Sequence, residues 1–127
     1  MTRRNPDAPI SQTAFLHRLT ELLGAVRCGM ADQPLSGQEI ERRLAALPQW
    51  RRDGKALVRD FEFGSFREAI SFMVRVAFEA EALNHHPEWT NVYDRVSIRL
   101  TTHHAGNVIT AKDLQLAEAI ERIDWTS

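Results

Sequence analysis

Pro87 fixes where the longest periodic segment of this chain must stop. The stretch SFREAISFMVRVAFEAEALNHHP, residues 65–87, opens with Ser65 and carries Glu68 three positions on, the capping-box pattern of a helix start. Phe66, Ala69, Ile70, Met73, Ala77 and Ala80 then recur at the helical period. Asn84 suits a helix-closing position, and Pro87 forbids continuation. The rest of the chain has to be arranged around a helix of about five turns that ends in two histidines.

The flanking segments supply what packs on it. SGQEIERRLAAL has a second capping box, Ser36 and Glu39, and an apolar side of Ile40, Leu44 and Leu47, with Pro48 as its expected end. QWRRDGKALVRDFEF reads as a hairpin turning at Asp53-Gly54. In its second arm Leu57, Phe61 and Phe63 share one face, Asp60 and Glu62 the other, and Arg59 interrupts the apolar set as a residue near an edge would. TNVYDRVSIRLTT alternates, placing Val96, Ile98 and Leu100 together after a turn near Asp94. TAKDLQLAEAIERI is a final helix capped by Thr110, with Asp113 at its third position and Leu114, Ala117, Ile120 and Ile123 inward. The order helix-strand-strand-helix-strand-strand-helix predicts an α+β domain, with a four-stranded antiparallel sheet and helices packed on one face. The other face is then left to solvent or to another copy of the protein.

A chain of 127 residues with 43% hydrophobic and 26% charged residues is sized for one such domain. A net charge of −1 gives no pull toward nucleic acid or an anionic membrane, and no apolar run approaches the roughly 20 residues of a spanning helix. The start MTRRNPDAPI lacks the apolar stretch of a secretory signal. Cys28 is the single cysteine, so neither an internal disulfide nor a cysteine-rich metal site is open to it, and the cytoplasm is the simplest compartment.

Residues 1–34 differ from the domain expected over 35–127. Phe15, Leu16, Leu19, Leu22, Leu23 and Val26 lie at helical spacing, followed by the breakers Gly29 and Pro34. Three readings fit: an added amphipathic helix, an undocked extension, or sequence upstream of a true start at Met30.

The chemistry-bearing residues cluster in NHHPEW and its sequel. Four of the five histidines, His85, His86, His103 and His104, fall between the long helix and the last one. Imidazole both gives and takes protons near neutrality. Pro87 keeps the residue before it out of helical conformation, so the rings of His85 and His86 are expected to be held in different directions on a stiff turn. Glu81, four residues before His85, is placed to orient it if the helix extends that far. His103 and His104 follow Thr101-Thr102 at a strand end, and alternation lets one of the two face a common site. Asp113 reads equally as an ordinary cap. His17 is given no role. Several histidines also raise a bound metal, but adjacent histidines rarely point at one ion, and this reading ranks behind acid–base chemistry.

AEALNHHPEWTNVYDRVSIRLTTH resembles the signature of the pterin-4a-carbinolamine dehydratases, and the likeness extends through SGQEIERRLAALPQW, LVRDFEFGSFREAISFMVRVAF and KDLQLAEAI, about residues 35–123. The resemblance implies dehydration of 4a-hydroxytetrahydropterin to quinonoid dihydropterin, which recycles the cofactor of aromatic amino acid hydroxylases, without metal or bound organic cofactor. It implies three active-site histidines, His85, His86 and His103. Of these, His85 and His103 are assigned to proton transfer and His86 to holding the pterin. Asn84, Pro87, Thr101, Thr102, His104 and Trp89 would line the pterin site, and Glu81 and Asp113 would support the histidines. Trp89 fits equally a place in the core or an interface. It further implies a homodimer or homotetramer, with no nucleic acid or membrane partner.

Two departures stand out. Asn84 replaces an aspartate found in some members, and the loop from His103 to Asp113 is one residue longer. The competing readings are a dimerisation or transcriptional cofactor module on the same fold and, behind it, a histidine-ligated metal enzyme.

Overall fold

The structure, a computed structural model, describes residues 33–123. The amphipathic pattern of the N-terminal segment lies outside the described residues. Helix α1 spans Gly37–Leu44, strands β1 and β2 span Arg51–Asp53 and Ala56–Glu62, and helix α2 spans Phe66–Ala82. Strands β3, Glu88–Val92, and β4, Arg95–Leu100, follow, and helix α3, Ala111–Glu121, closes the domain. The four strands are antiparallel in the order β1-β2-β4-β3, so β2 and β4 are central. This is the α+β architecture expected from the element order.

Each helix among the described residues begins where a hydroxyl caps it, but the three caps differ. Ser36 Oγ accepts the Glu39 amide, while the Glu39 carboxylate turns to Arg42 at 2.6 Å. That hydrogen bond holds the Glu39 carboxyl below its ordinary range. Ser65 Oγ accepts the Glu68 amide, and Glu68 reaches back one residue further than a capping box requires, to the Gly64 amide at 2.8 Å. Only Thr110 and Asp113 form the full reciprocal box. Helix α1 stops at Leu44, short of Pro48, where backbone bonds from Ala46 to Arg43 and from Leu47 to Leu44 tighten the chain into 3₁₀-type turns.

Both hairpins have two-residue turns. The first is Gly54-Lys55 rather than Asp53-Gly54, because Asp53 pairs with Ala56 and Gly54, at φ +58°, takes the first turn position. The second is Tyr93-Asp94, with the Asn91 side-chain Nδ2 donating to the carbonyls of Tyr93 and Arg95 across it.

One face of the sheet holds the core. Leu57, Val96, Ile98 and Leu100 are fully or almost fully buried against Ala69, Phe72, Val76 and Ala80 of α2 and Leu114, Ala117 and Ile120 of α3. Phe72 meets both Phe61 (4.5 Å between ring centres) and Phe63 (5.0 Å). The apolar periodicity of α2 contained two stripes, and the one with Phe72 is inward. Phe66, Ile70 and Ala77, which keep the helical period, are exposed.

Arg59 is not at a sheet edge. It lies on central strand β2, opposite Ile98, its guanidinium 4.2 Å above the Phe61 ring and ion-paired with Glu121, which also accepts from Trp50 Nε1. Burial pushes the Arg59 guanidinium down from its usual range, and the carboxylate and ring face compensate.

The opposite face carries polar pairs. Arg51 and Ser97 share Asp60, and Arg99 pairs with Asp53 at 3.0 Å.

Candidate active site

Antiparallel pairing puts the start of β3 and the end of β4 at the same end of the sheet. Glu88 is opposite Arg99, so the residues just before β3 and just after β4 emerge side by side. The histidines of both segments therefore arrive at one rim.

The first pair is positioned by the way α2 ends. Asn84 adopts φ +49°, its amide donates to the Glu81 carbonyl, and the His85 amide donates to the Ala80 carbonyl. This is a Schellman closure with asparagine at the left-handed position. It turns the chain through a fixed angle before Pro87. His85 is sent inward, 6% exposed, and His86 outward. The expectation of two rings held in different directions describes this turn.

His85 Nε2 lies 2.6 Å from Asp113 Oδ1. A carboxylate oxygen only accepts, so the ring proton is on Nε2 and Nδ1 is the nitrogen left over. Asp113 is fully buried and takes two further donors on Oδ2, the Thr102 hydroxyl at 2.9 Å and the Thr110 amide at 2.9 Å. Because the single Thr102 proton is spent on Asp113, the 2.7 Å contact between the Thr102 and Thr110 hydroxyls must be donated by Thr110. Thr110 in turn accepts the Lys112 amide. The result is a buried hydrogen-bond network that converges on Asp113 and joins the entry to α3, the end of β4 and the His85 ring. Asp113 is thus both a helix cap and the partner of a histidine.

His103 opens a short 3₁₀ turn, His103–Ala105, immediately after Thr102. The turn is exposed, and His103 Nδ1 meets Asn107 Oδ1 at 2.7 Å.

Four residues singled out in the sequence take the following positions. Glu81 pairs with His86, at 3.0 Å, and not with His85, because the helix ends at Ala82 and the Schellman turn carries His85 away. Thr102 is fully buried and its hydroxyl is committed to Asp113, so it supports the site rather than lining it. Thr101 turns its hydroxyl to the Lys55 carbonyl at 2.9 Å, in the first hairpin. Trp89 stands opposite Ile98 and packs partly buried against the core. Asn84, Pro87 and His104 are all at the same rim, with His104 and Asn84 exposed. A hollow of about 260 Å³ on the open sheet face, lined by Arg51, Asp60, Ser97 and Arg99 among others, contains no histidine. Among the described residues no group of three or more histidine, cysteine or acidic side chains is arranged to hold a metal ion, and no helix is long and apolar enough to cross a membrane.

Comparison with known proteins decides the family. The family profile described as Pterin 4 alpha carbinolamine dehydratase matches residues 33–123. The chain belongs to the pterin-4a-carbinolamine dehydratase family. It is 58% identical over 91 residues to a protein of Opitutus terrae provisionally named pterin-4-alpha-carbinolamine dehydratase, covering 72% of this chain and 94% of that one. A Prochlorococcus marinus protein of the same provisional name is 46% identical over 96 residues, covering 76% and 99%. A crystal structure from Brucella melitensis, titled transcriptional coactivator/pterin dehydratase, superposes with a TM-score of 0.67 at 37% identity, covering 70% of this chain and 96% of that one.

All the histidines at the rim lie inside the segment that matches the dehydratase family. Two residues that sequence reasoning passed over also belong to this constellation. The sequence marks Thr110 only as a cap, and Asn107 only as part of the loop from His103 to Asp113. An asparagine four residues after a histidine, next to a glycine, was the available signal for the second.

Removing the Asp113 carboxylate leaves three donors facing a buried hole. Asp113→Ala should destabilise the fold by about 2–5 kcal/mol in urea denaturation, from buried groups left unpaired. A loss under about 0.5 kcal/mol would mean that the carboxylate is not the junction described.

Proposed function

We propose that this chain, in the cytoplasm, removes water from 4a-hydroxytetrahydropterin by histidine acid–base catalysis, giving quinonoid dihydropterin. The observation that supports this most is the Asp113 junction. It fixes the buried His85 ring and holds Thr102, which stands directly before His103, within the family segment. In this reading two imidazoles from distant parts of the sequence, each held through one nitrogen, offer the other to the substrate.

The reaction breaks the C4a–O bond and the N5–H bond and forms a C4a=N5 double bond. The leaving hydroxyl takes a proton and departs as water, while N5 gives one up, so the protons balance and no electrons are transferred. His85 and His103 are the proton-transfer groups in this scheme. His86, exposed and oriented by Glu81, holds the polar edge of the pterin. His104, Asn84 and Pro87 border the same space. Proton transfer by positioned groups contributes ~10²–10⁴-fold to such steps, and the scheme calls on no metal or bound organic cofactor. The substrate would come from an enzyme that leaves a tetrahydropterin hydroxylated at C4a, as aromatic amino acid hydroxylases do.

The decisive assay is stopped-flow dehydration of enzymatically generated carbinolamine without added metal. His103→Ala should slow turnover by about 10- to 1000-fold while the fold is retained. Wild-type rates in His85→Ala, His86→Ala and His103→Ala alike would overturn the assignment.

A homodimer or homotetramer completes the proposal. Phe66, Ile70, Val74 and Phe78 form a stripe at four-residue spacing along α2, 38–71% exposed, a continuous apolar surface of the kind that marks an association site. Light scattering should give a multiple of the chain mass for the wild type and a smaller species for Phe78→Glu. A wild-type monomer at tens of micromolar would contradict this.

A further inference from the structure

The loop after β4 is shaped around one side chain. The Thr102 amide donates to the Val108 carbonyl at 2.9 Å, and the Asn107 amide donates to the Thr102 carbonyl at 3.0 Å. These two bonds close the mouth of a five-residue loop, His103 to Asn107. Asn107 sits at φ +58° and Gly106 at φ +90°. Asparagine is among the few residues other than glycine that take up the left-handed region readily. The backbone at 107 is thus fixed at both ends, and its side chain is directed back across the loop onto the His103 ring.

The contact has a definite proton. Asn107 Oδ1 is a carbonyl oxygen and only accepts, so His103 Nδ1 carries the hydrogen across the 2.7 Å separation. A neutral imidazole has one N–H. With that N–H on Nδ1, the Nε2 lone pair is left to face outward. His85 is held by the opposite nitrogen, Nε2, through a buried carboxylate. His103 is held through Nδ1 by an exposed, uncharged amide, which orients the ring without adding a charge beside it.

We propose that Asn107 is a positioning residue for His103, holding the ring proton on Nδ1 so that a bare Nε2 is presented to the pterin as the base. This rests on the assignment of His103 to proton transfer. Without the Asn107 oxygen the ring is free to rotate and to take the Nε2–H form that imidazole prefers in water, and Nε2 is then no longer an acceptor. Both residues are exposed, so loss of the contact leaves no buried polar group unpaired.

The test uses the full chain in three forms. Asn107→Gly keeps the positive φ and removes the acceptor. Asn107→Asp keeps an acceptor at the same place and adds a charge. Nitrogen-15 NMR of the histidine rings reads the tautomer, and stopped-flow dehydration of the carbinolamine reads the rate. In the wild type the neutral His103 ring should carry its proton on Nδ1. Asn107→Gly should shift the ring largely to the Nε2–H form and lower kcat by about 5- to 50-fold, a part of the ~10²–10⁴-fold that acid–base help provides. Asn107→Asp should keep the Nδ1–H form and restore kcat to within a few-fold of wild type. Its pH–rate profile should move to higher pH, since an added carboxylate favours the imidazolium. An unchanged tautomer in Asn107→Gly, or a rate loss that Asn107→Asp does not restore, would overturn the inference. A wild-type chain that fails to dehydrate the carbinolamine would instead overturn the dehydratase reading, and the NMR result would still decide whether Asn107 sets the His103 tautomer.

Discussion

The carboxylate of Asp113 is the point on which the architecture of this domain turns. It is fully buried, and it accepts from a ring, a hydroxyl and a backbone amide. Burying a carboxylate is costly unless donors surround it, and three donors come from three parts of the chain: the turn after α2, the end of β4 and the start of α3. Satisfying one buried group therefore fixes the relative positions of three segments. The helix cap that starts α3 thereby also sets where His85 points.

The fold separates this task from the rest of its energetics. The apolar work is done on one sheet face by Phe72, Leu57, Ile98, Leu100 and Leu114, all essentially inaccessible to solvent. The ion pairs of the other face are exposed, and pairs of that kind add little stability. The histidine rim lies at the edge of the core, where strand ends, a Schellman turn and a helix cap meet. Such a place tolerates a buried polar chain on one side and open access on the other, as a site for a flat polar molecule requires.

Much of this was legible in the chain itself. The three hydroxyl caps, the two hairpins and Pro87 gave the order of elements, and alternation in β4 gave its buried face. Where reading failed, tertiary packing had chosen between options that were equal locally. Helix α2 carries two apolar stripes, and nothing along the helix says that the sheet would take Phe72 and leave Phe66 and Ile70 outside. Arg59 looked like an edge residue because a cation among apolar neighbours is normally exposed, but Glu121, 62 residues later, gives it an inward partner. The motif singles out His85, His86 and His103 as candidates. Their partners were less accessible: Glu81 was paired with the wrong histidine because the left-handed residue at Asn84 rotates the chain. The contacts of Thr102 with Asp113 and of Asn107 with His103 depend on a loop closure that spacing does not encode.

Histidines from the two segments must serve one ligand for the domain to work as proposed. The most direct measurement is a crystal structure of the full chain with a non-reactive dihydropterin. The pterin ring should lie at the rim beyond β4, with His85 Nδ1 and His103 Nε2 both within hydrogen-bonding reach of it and His86 at its polar edge. A pterin bound instead in the hollow among Arg51, Asp60 and Arg99, or touching one histidine segment and not the other, would contradict the account.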